Sequence, residues 1–149
     1  MMKLEEEIEL RNAGKEDLPF IFDLLKGSNL PYEDISSKLD CLFVAYTSNE
    51  VVGIGGVEIY DEYGLLRSLV VKEELRGKGY GKRLCRKLME QAKQKDVKEL
   101  YLLTTTAKTF FEKLGFSLIE RDEAPEVIRK TDEFSSLCPS TAVCMVNRI

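Results

Sequence analysis

The chain has 149 residues, of which 44% are hydrophobic and 32% are charged, and its net charge is −4 at pH 7. This length and composition predict one soluble globular domain over residues 1–149. The acidic balance argues against binding to nucleic acid or to acidic membranes, and the acidic N-terminus MMKLEEEIEL is unlike a signal peptide. No apolar run reaches transmembrane length, so we expect a cytoplasmic protein.

The residue inventory excludes several kinds of site. The sequence contains no histidine, so neither a histidine-based catalytic triad nor a zinc site that mixes Cys with His can form. The four cysteines contain no CxxC pair: Cys41, Cys85, Cys138 and Cys144. In a reducing compartment each is expected to be a small buried hydrophobe, and we predict that no metal is required.

The first half of the chain predicts a strand, a helix, a loop or short second helix, and two strands that form a hairpin. In that order the expected bounds are residues 7–12, 12–27, 31–39, 41–47 and 51–60, with the hairpin turn at 48–50. Three glycines in the last of these strands, Gly53, Gly55 and Gly56, indicate a bulge or a close approach by another backbone.

The second half alternates strands with helices. The expected elements are a turn at 61–64, strands at 65–71, 98–105, 115–121 and 140–146, and helices at 82–95, 107–114 and 125–134. Gly115 is expected to end the helix 107–114 in a left-handed C-cap, with Phe116 folding back onto its last turn. The order of elements predicts an α+β or mixed α/β fold, with helices on the faces of a sheet.

The segment ELRGKGYGKRL, residues 74–84, is the most informative motif. Gly77, Gly79 and Gly81 lie between a predicted strand and a predicted helix. Four cations surround them: Arg76, Lys78, Lys82 and Arg83. Unpaired N–H groups at a helix N-terminus, together with the helix dipole, attract anions, and glycine lets a phosphate approach the backbone. The motif therefore predicts a pyrophosphate site.

Spacing separates the possible phosphate sites. A P-loop, GxxxxGK[ST], would need glycine at Arg76 and Ser or Thr at Arg83. The dinucleotide fingerprint GxGxxG, begun at Gly77, would need glycine at Lys82, and no acidic residue closes a following strand. A merely tight turn would account for one glycine but not for three within five residues.

RGKGYG fits the pattern Q/R-x-x-G-x-G/A, with Arg76, Gly79 and Gly81 at the specified positions. It resembles the pyrophosphate-binding motif of the GNAT superfamily of acetyl-CoA-dependent N-acetyltransferases. LRSLVV resembles the family's central strand and FFEKLGF its last characteristic helix; the resemblance runs from EDLPFIFDLL through VVGIGGV to Phe116. It implies a GNAT-like fold, a mixed, mostly antiparallel sheet of about seven strands with helices around it and with splayed fourth and fifth strands.

The resemblance also implies where acetyl-CoA, the expected co-substrate, would lie. The pantetheine arm would fill the gap between the splayed strands, and a backbone N–H around Val70 would polarise the thioester carbonyl. Backbone amides of the glycine loop would hold the pyrophosphate, and threonines after the fifth strand would contact the pantetheine. The cofactor-binding candidates are Leu69, Val70, Val71, Arg76, Gly77, Lys78, Gly79, Tyr80, Gly81, Lys82, Thr104 and Thr105.

The implied reaction is direct attack by a neutral amine, which needs a base for the amine's proton and sometimes an acid for the thiolate. In many relatives that acid is a tyrosine at the position of Phe111, so here the thiolate would leave unaided, take a proton from water or use another tyrosine. Three tyrosines are available: Tyr60, Tyr63 and Tyr101. The base candidates, which also suit a solvated turn, are Glu58, Asp61 and Glu62.

Arg67 and Ser68 lie in an otherwise apolar strand, so Arg67 must either meet a core carboxylate or point into the cleft. In the cleft it would favour a substrate that carries a carboxylate or similar oxyanion. The tail FSSLCPSTAVCM resembles a subgroup named arsenic-resistance N-acetyltransferases. Cys138 is then the candidate to contact arsenic, because Cys144 alternates with apolar residues in a strand and is expected to be buried.

Three functions remain open. The first is acetylation of the primary amine of a small molecule, such as an amino acid or an arsenic-bearing amino acid analogue. The second is acetylation of a protein N-terminus or lysine, and the third is acyl-CoA binding or thiol-based arsenic binding without turnover. Dimers are common among relatives, so a homodimer is expected by analogy alone.

Overall fold

The computed structural model describes residues 7–48 and 50–149. Seven strands form one sheet: β1 (Glu9–Asn12), β2 (Leu42–Tyr46), β3 (Val51–Tyr60), β4 (Tyr63–Val71), β5 (Glu99–Thr104), β6 (Ser117–Ile119) and β7 (Val143–Arg148). Their spatial order is β1-β2-β3-β4-β5-β7-β6, and all neighbours are antiparallel except β4 and β5. The predicted mixed, mostly antiparallel sheet is therefore confirmed.

Helices cover both faces of the sheet. Within the described residues they are α1 (Leu18–Gly27), α2 (Tyr80–Gln94), α3 (Lys108–Glu112) and α4 (Glu126–Arg129). Leu84, Leu88 and Ala92 of α2 pack with Leu66 and Leu102 on one face, as the helical spacing predicts. The opposite face carries α1 and α4 in two separate apolar clusters. The inner strands β2, β3, β4, β5 and β7 alternate between the faces and bury side chains on both, whereas no residue of the edge strands β1 and β6 is buried.

Helix ends follow the backbone preferences of glycine. Gly79 has a left-handed φ of 87° and starts α2 at Tyr80, two residues earlier than predicted. Gly115, at φ 101°, follows α3, and the Phe116 N–H returns to the Phe111 carbonyl at 3.1 Å. The rings of Phe111 and Phe116 lie 5.6 Å apart. The predicted left-handed cap and its aromatic contact are confirmed.

Other predicted bounds change in the last third of the chain. The predicted helix 125–134 is divided into α4 and a π-helical turn, Glu133–Leu137. Thr131 Oγ1 donates to the Ile128 carbonyl at 2.7 Å, so a side chain competes with the helical hydrogen bonds where α4 ends. The strand predicted at 115–121 is shorter in the structure, where β6 is Ser117–Ile119. The strand predicted at 140–146 begins and ends later, as β7, Val143–Arg148.

The β2–β3 pair confirms the predicted hairpin, although its turn includes Asn49, which lies outside the described residues. Thr47 N–H donates to the Glu50 carbonyl at 2.8 Å across that turn. In the part of the chain that the structure describes, no helix is long and apolar enough to cross a membrane.

Candidate functional site

A wedge opens in the middle of the sheet between β4 and β5. The two strands pair in parallel only from Tyr63 to Leu65 on β4 and from Glu99 to Tyr101 on β5. Beyond these residues β4 continues to Val71 along β3, and β5 continues to Thr104 along β7. The two strands therefore diverge. In their C-terminal halves, β4 and β5 form no ladder hydrogen bonds with each other.

A β-bulge lies on the β4 side of this wedge. Ile54 pairs with Val70 and Gly56 with Arg67, so that Ser68 and Leu69 together oppose the single residue Gly55. Ser68 has a φ of 59°, a left-handed conformation that is rare for a residue other than glycine and collects at functional sites. The bulge re-aims the backbone of β4 just where the wedge is open.

The register of β3 and β4 decides which backbone groups face the wedge. Lys72 N–H donates to the Val52 carbonyl at 2.9 Å, so by antiparallel alternation the peptide groups of Val70 also point towards β3. A Cβ built on Gly53 would collide with the Val70 carbonyl oxygen, which confirms this direction. Val70 N–H is therefore turned away from the wedge, contrary to the role that sequence analysis gave it.

The neighbours of Val70 have the opposite orientation. The Val71 carbonyl points away from β3, where it accepts a hydrogen bond from Arg76 Nε at 3.0 Å. Its N–H consequently faces the wedge, because both peptide groups of a strand residue point to the same side. The bulge at Ser68 and Leu69 leaves further backbone groups outside the ladder.

The glycine loop closes the far end of the wedge. Gly77 and Gly79 have φ values of 79° and 87°, and a Cβ on either would meet no heavy atom within 4 Å. Space for a ligand is thus open directly in front of both residues. The first intrahelical bond of α2 runs from Arg83 N–H to the Gly79 carbonyl, so the N–H groups from Tyr80 to Lys82 have no intrahelical acceptor.

The cations around this loop have different roles. Arg76 contacts protein groups, the Val71 carbonyl and Ser28 Oγ at 3.2 Å, and so fastens the loop to β4 and to the end of α1. The Arg83 guanidinium lies 4.7 Å from the Tyr80 ring centre. Lys78 and Lys82 are exposed, where their charges add to the positive end of the helix dipole.

Thr104 and Thr105 end the other flank of the wedge. Thr104 Oγ1 accepts a hydrogen bond from the Ala107 N–H at 3.0 Å, so its hydroxyl anchors the start of α3. Thr105 is exposed immediately after β5. Phe110 of α3 lies close to Gly81, where a built Cβ would be 3.6 Å from its ring. The helix α3 therefore packs against the glycine loop.

A buried charge cluster lies beside the bulge, on the face that carries α1 and α4. Arg67 is 3% exposed and donates from Nη1 to Asp34 Oδ2 at 2.6 Å and from Nη2 to Asp34 Oδ1 at 2.7 Å. Nη1 also donates to Glu58 Oε2 at 2.8 Å, and Nε donates to Ser68 Oγ at 3.2 Å. Core carboxylates thus meet Arg67, which was one of the two alternatives that the sequence left open.

Glu133 completes this cluster. It is 4% exposed, and its Oε1 lies 3.7 Å from Arg67 Nε. Burial raises the pKa of Glu133 to about 7, with repulsion from Glu58 and Asp34 acting in the same direction and Arg67 opposing it. Burial also opposes ionisation of Asp34, but the hydrogen bonds from Arg67 prevail and lower its pKa.

Sequence analysis did not single out Glu133. Helical periodicity over 125–134 would turn Glu133 away from the side that buries Ile128, since five residues rotate a helix by well over one turn. The helix α4 ends at Arg129, so Glu133 does not continue its rotation, and its Oε1 lies 3.7 Å from Arg67 Nε. The available sequence signal was Thr131, because a threonine hydroxyl can hydrogen-bond to the backbone and so end a helix.

The three base candidates lie in two places, since Glu58 is buried on β3 and both Asp61 and Glu62 are in the exposed β3–β4 turn. Glu58 on β3 is 5% exposed and accepts hydrogen bonds from Arg67 and from the Tyr60 hydroxyl, while Lys38 Nζ is 3.6 Å from its Oε1. Glu62 lies in the exposed β3–β4 turn, where its carbonyl accepts the Lys98 N–H at 2.7 Å. Six residues of strand, about 20 Å, separate that turn from the bulge at Ser68.

The three tyrosines considered as acids all bond to carboxylates. Tyr60 donates to Glu58, Tyr63 interacts with Glu62 and Tyr101 donates to Glu99 at 3.1 Å. Burial and these carboxylates raise the pKa of Tyr60 and of Tyr101. Tyr63 and Tyr101 also lie at the paired end of the wedge, remote from the bulge.

The cysteines of the tail differ in burial. Cys144 is 1% exposed, as predicted, and Cys138 is half-buried after the π-helical turn. Burial raises the pKa of Cys138 to about 12 and that of Cys144 to about 11, so both remain thiols at neutral pH. Within residues 7–48 and 50–149, no group of three or more acidic or cysteine side chains could hold a metal ion.

A cavity of about 210 Å³ lies elsewhere, between β3 and the C-terminal half of α2. Val57 and Ile59 line it from the strand, and Gln91 and Lys95 line it from the helix. It is on the α2 side of the sheet, whereas the Arg67 cluster is on the other side. The cavity is therefore on the opposite face from the charge cluster, although Cys41, which also lines it, interacts electrostatically with Glu58 and Arg67.

Known proteins are similar to this chain in sequence and in fold. Residues 38–118 match the family model described as an acetyltransferase (GNAT) domain. An uncharacterised N-acetyltransferase of Chlorobaculum tepidum is 30% identical over 113 residues, which are 75% of this chain and 70% of that protein.

Two solved structures illustrate the likeness in fold. N-acetylglutamate synthase from Neisseria gonorrhoeae, complexed with coenzyme A and N-acetyl-glutamate, has a TM-score of 0.81 at 21% identity. That match covers 97% of this chain but only 36% of the synthase, so this chain spans about a third of its length. A GNAT family acetyltransferase from Elizabethkingia anophelis with acetyl-CoA bound has a TM-score of 0.71 at 20% identity, over 97% of this chain and 100% of that one.

Proposed function

Because this chain belongs to the GNAT family of N-acetyltransferases, we propose that it transfers the acetyl group of acetyl-CoA to the primary amine of a small molecule by direct attack. The observation that carries the proposal is the wedge between β4 and β5, which runs from the bulge at Ser68 to the open glycine loop. Acetyl-CoA would supply an activated acyl group, and the chain's own residues would hold and orient it.

The glycine loop suits the pyrophosphate of acetyl-CoA. Backbone N–H groups from Arg76 to Lys82 would bind its oxygens, and Lys78 and Lys82 would add charge. Gly77 and Gly79 leave the necessary space, and Arg76 would act by fastening the loop rather than by touching the ligand. Tyr80 and Gly81 begin the helix whose dipole points at the site.

The pantetheine arm would lie along the open edges of the wedge. On one side the Val71 N–H and the bulge would bind it, and on the other side Thr104 and Thr105 are the polar residues at the strand end. The N–H that polarises the thioester carbonyl is assigned to the bulge at Leu69 instead of to Val70, whose peptide groups face β3.

An amino acid, or an arsenic-bearing amino acid analogue, is the proposed acceptor. The Neisseria synthase is complexed with coenzyme A and N-acetyl-glutamate, an acetylated amino acid, and its fold resembles that of this chain. Arg67 and Ser68 lie beside the bulge, where an acceptor must approach the thioester. Because Asp34 and Glu58 already occupy the guanidinium, a substrate carboxylate would have to compete with them or use the remaining Nη2 hydrogen.

The tail supports a link with arsenic only through its sequence. FSSLCPSTAVCM resembles the arsenic-resistance subgroup, and this chain is proposed to belong to it. A thiol-based arsenic-binding role is disfavoured, because burial keeps Cys138 and Cys144 protonated and thiolates are the forms that bind soft ions. Arsenic would then enter as part of the acceptor.

We further propose that residues 1–149 act as one cytoplasmic domain and that two copies form a homodimer. The strand β6 is at the edge of the sheet, and its Leu118 is 46% exposed. An exposed apolar edge strand offers unpaired backbone groups to a second chain. The mass of the protein in solution, measured by light scattering, tests the dimer.

Calorimetric titration with acetyl-CoA tests the site, followed by a screen of amines for acetylated product by mass. Gly79→Glu should abolish binding, because a carboxylate would occupy the space in front of the loop. Gly79→Ala is the matched control, since it places a Cβ at the same left-handed φ of 87° without adding the carboxylate. Equal affinity in wild type and a folded Gly79→Glu variant would contradict the loop assignment, and binding without turnover of any amine would favour a non-catalytic acyl-CoA-binding protein.

A further inference from the structure

We infer that Glu133 is the catalytic base, the group that takes the proton from the attacking amine. The inference rests on the proposed acetyl transfer and adds a residue from the connection between α4 and β7. Three observations carry it: the position of the carboxylate relative to the bulge, the occupation of the other two carboxylates, and the lack of a donor to Glu133.

Glu133 lies on the bulge side of the Arg67 guanidinium. Arg67 Nε is 3.7 Å from Glu133 Oε1 and donates to Ser68 Oγ at 3.2 Å, so both oxygens lie at the Nε edge. Asp34 and Glu58 bind at the other end, through Nη1 and Nη2. Of the three carboxylates, Glu133 is therefore the one that shares its edge of Arg67 with the bulge residue Ser68.

The other two carboxylates are fully engaged. Both oxygens of Asp34 accept hydrogen bonds from Arg67, and Glu58 accepts one from Arg67 and one from the Tyr60 hydroxyl. Each oxygen of these two carboxylates therefore already accepts a hydrogen bond within the cluster. A new donor would have to share that oxygen with Arg67 or Tyr60.

Glu133 differs from both. Among residues 7–48 and 50–149 no hydrogen bond ends on its carboxylate, although the residue is 4% exposed. Buried carboxylates normally have donors, and an oxygen without one is ready to receive a donor from a ligand. An ammonium or amine nitrogen placed against the bulge would supply that donor.

The electrostatic surroundings allow this group to exchange a proton near neutrality. Arg67 faces it from β4, Glu58 from β3, Asp34 from the turn after α1, and Cys138 from the residue that follows the π-helical turn. Burial, with the two carboxylates, raises the pKa of Glu133 to about 7 in spite of Arg67. A base with a pKa near the working pH is largely ionised and still binds a proton well.

The proton balance of the step is simple. The amine nitrogen forms a bond to the acetyl carbon, the carbon–sulfur bond breaks, and its electron pair leaves on the thiolate sulfur. The surplus proton of the nitrogen passes to the Glu133 carboxylate, which releases it to solvent after the product leaves. Arg67 keeps its charge throughout and holds Glu133 beside Ser68.

Glu133→Gln tests this role, because the amide keeps the shape of the side chain and cannot take the proton. Glu126→Gln is the matched control, since Glu126 is an exposed carboxylate in α4 that pairs with Lys130 at 2.9 Å. Each variant is titrated with acetyl-CoA by calorimetry. Each is then assayed between pH 5 and 10 with the proteinogenic amino acid that wild type acetylates fastest.

Glu133→Gln should bind acetyl-CoA as wild type does, lose kcat by about 10²- to 10⁴-fold and lose the rise of kcat/KM with pH around 7. Glu133→Asp should restore that rise in part, and Glu126→Gln should match wild type. A folded Glu133→Gln protein that keeps the rise, or loses less than tenfold in kcat, overturns the inference, as does a parallel loss of acetyl-CoA binding by that protein. If wild type binds acetyl-CoA but acetylates none of the amino acids, the proposed acceptor class fails, and the assignment of Glu133 as its base fails with it.

Discussion

Arg67 and Asp34 form a two-point hydrogen-bonded ion pair across 33 residues of sequence, with N–O distances of 2.6 and 2.7 Å. The pair joins the turn after α1 to the centre of β4, directly before the bulge. The Arg67 side chain is 0% exposed and the Asp34 side chain is 9% exposed, so each charge compensates the buried charge of the other.

Arg67→Met should lower the free energy of unfolding by about 3–5 kcal/mol, because it leaves three buried carboxylates without their cation. Arg11→Met is the control. Arg11 binds Asp17 with the same two-point geometry, at 2.9 and 2.8 Å, but its side chain is 45% exposed, so this loss should stay below about 1 kcal/mol. Urea unfolding at pH 7 measures both; similar losses would show that burial does not set the strength of the Arg67 pair.

Glu133→Gln should change the pH dependence of stability. The pKa of Glu133 is about 7 in the folded protein, above its ordinary value of 4.5, so folding favours the protonated acid. Wild type therefore has this stabilisation in full below pH 4.5 and loses it as the pH rises through 7. Between pH 4 and pH 8 it should lose about 3 kcal/mol relative to the variant. Parallel unfolding curves for the two proteins across that range would refute the raised pKa.

Gly53→Ala should distort β4 beside the wedge. Its Cβ would collide with the Val70 carbonyl, and backbone cannot move aside as a side chain can. We expect a loss of about 1–3 kcal/mol in unfolding free energy together with weaker acetyl-CoA binding. Gly27→Ala, where a Cβ meets nothing within 4 Å, should leave binding unchanged and serves as the control.

Phe111→Tyr should leave kcat unchanged or raise it if the only group missing at this position is an acid for the thiolate. Phe111 is 8% exposed and packs edge-on against Phe110 and Phe116. Phe111→Ala should by contrast cost about 3–5 kcal/mol by opening a cavity. A large loss of kcat in a stable Phe111→Tyr protein would mean that the hydroxyl is not tolerated there.

Cys138→Ala should retain acetyl transfer and leave arsenite binding as weak as in wild type. The raised pKa of the Cys138 thiol, about 12, should also make its alkylation by iodoacetamide at pH 8 slower than that of a free cysteine peptide. Mass spectrometry of the alkylated protein and titration with arsenite check both points. Tight arsenite binding that disappears in Cys138→Ala would restore the thiol-based role.

The parts of the fold that depend on local pattern were predictable. Apolar alternation located the strands, and the left-handed glycines located the loop before α2 and the cap after α3. Gly53, Gly55 and Gly56 indicated a bulge or a close backbone approach, and both occur here. The extra residue of the bulge, however, is on β4 beside Ser68, and a left-handed serine has no sequence signature comparable to glycine. Asp34 and Glu133 reach Arg67 from distant segments, and only the tertiary fold determines which carboxylates pair with a buried arginine.

The parallel seam between β4 and β5 joins a four-stranded and a three-stranded half of the sheet through three residue pairs. A bound pantetheine arm that forms hydrogen bonds with both open flanks would add links between β4 and β5. The two halves of the sheet would then be coupled more rigidly. Amide hydrogen exchange should consequently slow on binding even in β1 and β6, the outermost strands. Ligand binding would thus be measurable by the exchange rates of edge strands that the ligand does not contact.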